Sequence, residues 1–373
     1  MRLSQYDGIS RMLVIAKDSS LAKQLLLDNK GVGLIERNHI VILPEKVRIQ
    51  LNETEQMQLN ELSNFDIIEI NSNGLVYILY DHMEGDAGIA TTSTCNSNCI
   101  MCPASEAERR IKSPFSLEKL ITLIRLFPSD IAHFTITGGE PTLIGYENFI
   151  SVMKEVAAHF FHTKILLLTN GRTFGNKAFF DQIVKVKPDM LRIAIPIHGS
   201  TAEKHDYITQ SDGSFIQTLR GIRYILNVGI ELELRIVVSK LNVYDLNDIA
   251  ELIISFFPQT TVVNFIGLEM RGNCILNQED IVISYEEAFQ AAKKAIRTLV
   301  MHGIDAGLYN FPFCMIDKGY WPIAKKSISA YKVRFRDACE KCVMKDKCCG
   351  FFTTSMYFLK PVVRPVLAEE LSI

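Results

Sequence analysis

The sequence predicts an α/β fold: a partial (β/α)6 TIM-like barrel with a small mixed region before it and a cysteine-rich region after it. Three observations lead there. From about residue 86, short apolar runs alternate with amphipathic stretches of helical length. Repeated β–α units of that kind imply parallel strands joined by right-handed crossovers. Residues 1–85 lack the alternation and carry β-type runs such as Ile40–Leu43 and Leu75–Tyr80 between polar turns. Residues 285–373 open with one helical pattern and then become irregular, with four cysteines between 339 and 349. The expected boundaries are therefore 1–85, 86–284 and 285–373.

Element by element, the apolar runs predict strands over 88–94, 131–137, 164–169, 191–197, 232–238 and 261–268. The amphipathic stretches predict helices over 116–126, 146–161, 176–184, 215–227 and 245–256, with Ser116 as an N-cap and Gly229 as a C-terminal stop. A last helix near 285–302 is expected to lead out of the barrel. In parallel β/α architectures chemistry gathers at the C-terminal ends of the strands. The segments that follow each strand are the ones to read.

Composition narrows the function. The chain has 373 residues, 48% of them hydrophobic, which is ample for a large core. A formal net charge of −2 gives no basic excess for nucleic acid. Met1–Tyr6 lacks the apolar run of a signal peptide, and the longest apolar runs, such as Ile165–Leu168, are too short to span a bilayer. A cytoplasmic protein with no nucleic-acid or membrane partner is expected. Of nine cysteines, three fall in 95–102 and four in 339–349, with Cys274 and Cys314 apart. In a reducing compartment, clustered thiols read as metal ligands rather than disulfides.

The first cluster is Cys95, Cys99 and Cys102, spaced C-x3-C-x2-C directly after the first barrel strand. Three thiolates on one loop can hold three irons of a [4Fe–4S] cube, where electron carriers use four cysteines. One iron is then open to a further ligand. The alternatives are a zinc site or structural cysteines, but structural zinc takes four ligands and the nearest histidines are His82 and His133. One β–α unit later comes Thr137-Gly138-Gly139-Glu140-Pro141. Its glycines allow close backbone approach, and its carbonyls and carboxylate suit an ammonium group.

This loop and turn resemble the signature of the radical SAM superfamily, over residues 88–270. The resemblance implies a [4Fe–4S] cluster on Cys95, Cys99 and Cys102, with S-adenosylmethionine (SAM) on the open iron. It implies that Gly138, Gly139, Glu140 and Pro141 meet the methionine ammonium. His198, in Pro196–Gly199, stands where the family often places a polar SAM contact; a satisfied rim histidine is the other reading. Arg235 could clamp the SAM carboxylate, or pair with Glu231 or Glu233 along its strand. Asn242 holds a frequent family position. The strand Phe265–Glu269, with Gly267, resembles the family's adenine-binding strand. Met101 replaces the aromatic residue that often packs on adenine, a contact a thioether can make.

The second cluster is Cys339, Cys342 and Cys348, with Cys314 upstream and Cys349 adjacent. It resembles the auxiliary-cluster region of radical SAM maturases, the SPASM and shorter twitch domains. It implies one auxiliary [4Fe–4S] cluster on Cys314, Cys339, Cys342 and Cys348, with zinc as the alternative. Cys349 is a fallback ligand, and Cys274 reads as a small buried hydrophobe. The layout is most similar to HxsC-type maturases of the His-Xaa-Ser peptide system, through Leu79-Tyr80, Cys99–Pro103 and Cys348–Ser355. That resemblance implies a precursor peptide as substrate, a reductant such as flavodoxin or ferredoxin, and a second radical SAM maturase as partner. Action on a small metabolite, activation of another enzyme, and a non-catalytic iron–sulfur scaffold are the competing readings.

Overall fold

In the computed structural model, residues 1–6, 8–110 and 116–371 are described. The first eighty residues form a six-stranded mixed sheet. Its strands are β1 (Arg11–Ala16), β2 (Val32–Glu36), β3 (His39–Leu43), β4 (Val47–Gln50), β5 (Ile67–Ile70) and β6 (Val76–Tyr80), in the order β4-β3-β2-β1-β5-β6. β1 and β2 pair in parallel, bridged by the helix Ser19–Leu27, and the other pairs are antiparallel. Both faces are apolar because both are covered. Ile15, Ile40, Ile42 and Ile68 form a core of their own, while Val14, Val32, Leu34 and Ile67 join the main core.

The central segment follows the predicted alternation. It supplies β7 (Gly88–Ala90), β8 (His133–Thr137), β9 (Lys164–Leu168), β10 (Leu191–Pro196), β11 (Glu231–Val237) and β12 (Val262–Ile266), all parallel neighbours in chain order. Along β11 the period of two is visible. Leu232, Leu234 and Ile236 are buried outward against helices, and Glu233 and Arg235 point to the opposite, inner face. Outward residues such as Phe134, Leu167, Ile193 and Phe265 meet helical stripes that include Phe149, Val156, Phe180, Ile225 and Ile253. Each such side chain, fully buried, contributes about 1.5–3 kcal/mol. Ser116 caps the helix Leu117–Leu126 through Lys119 N at 3.2 Å, and Gly229, at φ 71°, follows the helix Ser214–Asn227.

Two elements depart from expectation. A helix at Ala202–Thr209 follows β10. The helix Tyr285–Met301 does not lead out of the barrel. It returns the chain to β13 (Asp305–Tyr309), which pairs in parallel with β12, and the two-residue β14 (Ala324–Lys325) extends the edge. The wall therefore has eight parallel strands, with β7 and β14 as its two edges. Asp305-Ala306-Gly307-Leu308-Tyr309 is short and glycine-broken, so no strand signal arises locally. Its glycine is fixed by the neighbour: a Cβ on Gly307 would lie 2.2 Å from Asn264 Oδ1. Among the described residues no helix is long and apolar enough to cross a membrane.

Candidate active site

The three-cysteine loop leaves the C-terminal end of β7. Its conformation is fixed by hydrogen bonds from four other segments. Asn98 N and Ile100 N donate to the carbonyls of Thr209 and Ile208, both at 3.0 Å. Arg172 Nη1 donates to Ser97 Oγ and Ser211 Oγ, each at 2.9 Å, and to the carbonyl of Asn96. Asn273 Nδ2 donates to Asn98 Oδ1 at 2.9 Å and to the Cys99 carbonyl at 3.0 Å, and Asn277 Nδ2 to the Ile100 carbonyl at 3.0 Å. Arg109 reaches Asn98 Oδ1 and the Ala104 carbonyl. These holding residues were missed in the sequence. Arg172 alone left a signal, since it directly follows the Asn170-Gly171 turn.

The loop's inner side rests on an apolar cluster of Met101, Ile208, Leu268, Met270, Cys274 and Ile281. Met101 thus sits beside Leu268, at the end of the β12 segment. Cys274 is buried, with its Sγ 3.4 Å from Met270 Sδ. Burial and the charges of Cys102 and Cys95 push the Cys99 thiol up to about 12, and burial raises Cys95. A bare thiolate is costly there, and a bound cationic centre would remove the penalty.

Opposite the loop, the Gly138–Pro141 turn is stitched to it by backbone bonds. Gly139 N donates to the Thr92 carbonyl at 2.7 Å and Glu140 N to the Thr94 carbonyl at 2.8 Å. The glycines are required by this approach. A Cβ on Gly138 would lie 2.4 Å from Thr92 O, and one on Gly139 2.3 Å from Ser93 O. Glu140 is fully buried, and its carboxylate accepts from Thr142 N and Oγ1, Thr169 Oγ1 and Asn170 N. Burial raises its pKa against the pull of those donors. The carboxylate expected to face an ammonium group thus also holds the β9 exit. Thr91 Oγ1 donates to the Pro141 carbonyl at 3.0 Å.

The remaining strand ends complete the mouth. His198 follows β10 and is buried. Its Nδ1 has no hydrogen-bond partner among the described residues, and burial followed by His205 lowers its pKa to about 3. Asn242 Oδ1 accepts from Ser239 N at 3.0 Å, and its Nδ2 donates to the Val237 carbonyl at 2.9 Å, so it shapes the loop after β11. Arg235 Nε donates to Glu233 Oε1 at 2.7 Å on the inner face, and its guanidinium lies 5.7 Å from the Tyr309 ring centroid. The Gly267 N–H donates to the Tyr309 carbonyl at 3.0 Å, which ties the end of β12 to β13.

A second site lies beyond β13. Cys314, Cys339, Cys342 and Cys348 line one small cavity with Phe313, Phe335, Phe351, Lys345 and Arg364. Val366 N donates to Cys342 Sγ at 3.3 Å and Gly350 N to Cys348 Sγ at 3.4 Å. Cys349 is buried outside the cavity wall and donates to the Gly350 carbonyl at 3.2 Å. Its thiol, with the Gly350 N–H, holds Cys348 down at about 6. Four soft thiols around one cavity are a donor set suited to iron–sulfur or zinc. Among the described residues no three His, Cys, Asp or Glu side chains are grouped as ligands of a single metal ion.

Residues 89–253, which hold the first loop, the glycine turn and the strand ends, match the family model described as the radical SAM superfamily. That segment of the chain is similar to the radical SAM superfamily. The cofactors that superfamily implies are a [4Fe–4S] cluster and SAM, and a three-thiol loop with no fourth protein ligand suits the former. Over 165 residues the chain is 29% identical to the AdoMet-dependent heme synthase of Nitratidesulfovibrio vulgaris, covering 43% of this chain and 42% of that one. It is 23% identical to the antilisterial bacteriocin subtilosin biosynthesis protein AlbA of Bacillus subtilis, covering 50% and 40%. The chain thus spans less than half the length of these curated relatives. Among solved structures it is similar to Streptococcus suis SuiB bound to precursor peptide SuiA, with TM-score 0.47, 12% identity and coverage of 60% and 48%.

Proposed function

We propose that the chain is a radical SAM enzyme that modifies a ribosomally made peptide or small protein. The observation that carries the chemistry is the loop of Cys95, Cys99 and Cys102 at the end of β7, stitched to the Gly138–Pro141 turn. In this reading the three thiols hold a [4Fe–4S] cluster. When bound, cluster and SAM supply the electron and the sulfonium whose reductive cleavage gives a 5′-deoxyadenosyl radical. The protein's part is to bind and orient. Carbonyls of the glycine turn receive the ammonium, and Met101 and the Gly267 segment receive the adenine. His198, with an orphaned buried nitrogen, offers a polar contact. Arg235 offers its remaining donors to the SAM carboxylate while Glu233 keeps its Nε.

The C-terminal cavity holds one auxiliary [4Fe–4S] cluster on Cys314, Cys339, Cys342 and Cys348. Cys348 is chosen over Cys349 because it lines the cavity. The peptide substrate class is supported by the likeness to a bacteriocin biosynthesis protein. The narrower assignment, a His-Xaa-Ser-type maturase working with a reductant and a second radical SAM protein, rests on the Cys99–Pro103 and Cys348–Ser355 stretches. A small-molecule substrate is the second reading, favoured by the likeness to a heme synthase.

The test is anaerobic reconstitution, iron and sulfide analysis, and assay of 5′-deoxyadenosine with dithionite and SAM. About eight irons per chain and deoxyadenosine formation are expected. Cys99→Ala is expected to abolish cleavage with the circular dichroism spectrum unchanged; retained cleavage would remove the cluster assignment. Cys342→Ala is expected to lose about four irons yet keep basal cleavage. Unchanged iron in that variant would remove the auxiliary cluster.

A further inference from the structure

The C-terminal segment carries a charge the rest of the chain does not. Between residues 325 and 347, eight lysines and arginines accompany three acidic residues, a net +5 in a chain whose total is −2. Some of that charge is neutralised. Lys345 pairs with Glu340 and Lys332 with Glu269. Lys326, Arg336, Lys341 and Lys347 are exposed, and none has a carboxylate partner among the described residues.

These four cations stand on, or reach back to, the segment that carries three of the cavity's cysteines. Lys341 and Lys347 directly precede Cys342 and Cys348. The Arg336 carbonyl accepts from Cys339 N at 2.8 Å, so that arginine stands at the turn carrying the cysteine. Lys326 arrives from the other side and places its Nζ 3.3 Å from the Asp346 carbonyl, next to Lys347. Arg336 also borders a shallow groove with Met356, Lys360 and Tyr357, the last 74% exposed. The cavity itself reaches close to solvent, since Cys314 and Cys342 are only half-buried.

We propose that this cationic patch is the docking surface for an acidic one-electron carrier protein of the flavodoxin type. The inference rests on the reading that the cavity holds an iron–sulfur centre, and it adds where that centre is supplied. The docked carrier loses one electron, the centre gains it, and no bond or proton moves between them. Opposite charge steers the encounter, and the exposed Tyr357 beside Arg336 and Lys360 gives an apolar contact that fixes it. The observations favour an electron carrier over an acidic peptide because the charges stand on the segment that carries Cys339, Cys342 and Cys348.

The experiment uses the reconstituted full-length protein and a purified oxidised flavodoxin. Binding is read by calorimetry without turnover. Wild type is expected to bind with an affinity that falls about tenfold between about 50 and 300 mM salt. The triple variant Lys326→Glu, Arg336→Glu, Lys347→Glu is expected to lose at least about tenfold, and the corresponding glutamine triple to fall between. Both variants are expected to keep their iron and their dithionite-driven deoxyadenosine yield, since none of the three residues is a ligand. Equal flavodoxin affinity in the glutamate triple overturns the proposal. Loss of iron in that triple also overturns it, because the patch would then be countercharge for the centre. Loss of a polyglutamate peptide with flavodoxin binding intact would assign the surface to an acidic peptide instead. Wild type that holds iron but makes no deoxyadenosine with dithionite fails the radical SAM reading alone, and calorimetry still decides the docking.

Discussion

His198 and His205 lie side by side behind the barrel mouth, with ring centroids 5.6 Å apart, and burial depresses both, to about 3 and about 4. An unfolded chain binds protons on both rings near pH 6.5, while the folded chain resists until much lower. Their contribution to stability is therefore present above pH 6.5 and is lost as pH falls towards the folded values. The slope reaches about 1.4 kcal/mol per pH unit for each ring. The urea midpoint of the metal-free protein is expected to fall between pH 7 and pH 5, and His205→Gln to flatten that fall by about half. A midpoint independent of pH over that range would show that neither ring is held neutral. At this scale the sequence reveals ligand types but not their surroundings. His198 is visible as a residue after a strand; that its backbone is tied to His205 and Asn242, seven and forty-four positions away, is not.

The cysteine loop is an element whose shape is imposed from outside. Its spacing names the chemistry, because few other centres want three thiols so close. Its rigidity comes from Arg172, Asn273 and Asn277, which lie seventy to a hundred and eighty residues downstream, and only Arg172 adjoins a recognisable turn. Arg172→Met would leave the Ser97 and Ser211 hydroxyls short of a donor and the Asn96 carbonyl with Ser211 Oγ alone. That costs about 1–3 kcal/mol. The variant is expected to take up iron but release it to a chelator faster than wild type, read by loss of visible absorbance. Equal release rates would mean the loop holds its shape without the arginine. The six strands of residues 88–268 and the five longer helices between them were legible because each has its own apolar period; the short helices Glu106–Arg110 and Ala202–Thr209 were not. β13 was not, because its place depends on Gly307 fitting under Asn264, a fact of the neighbouring strand.

Across the whole molecule, the N-terminal sheet is less separate than its sequence suggests. Tyr80 packs against Phe127 with ring planes tilted by 60° and centroids 5.0 Å apart, and Lys30 Nζ donates to the Leu126 and Phe127 carbonyls, each at 2.9 Å. Val14, Val32 and Leu34 share one core with Leu120, Leu123 and Ile124. Deleting residues 1–80 uncovers that apolar face, and exposed patches of this kind drive aggregation. The truncated chain is expected to be insoluble or to bind a hydrophobic dye strongly. A monodisperse fragment with unchanged melting temperature would make the sheet an independent appendage. The eight-stranded wall has a further consequence. It begins with a three-residue strand and ends with a two-residue one, and its two edges are left unjoined. A ring that closes on itself can be entered only along its axis, like a needle's eye. A wall whose edge strands, among the described residues, do not pair with each other forms no such closed ring.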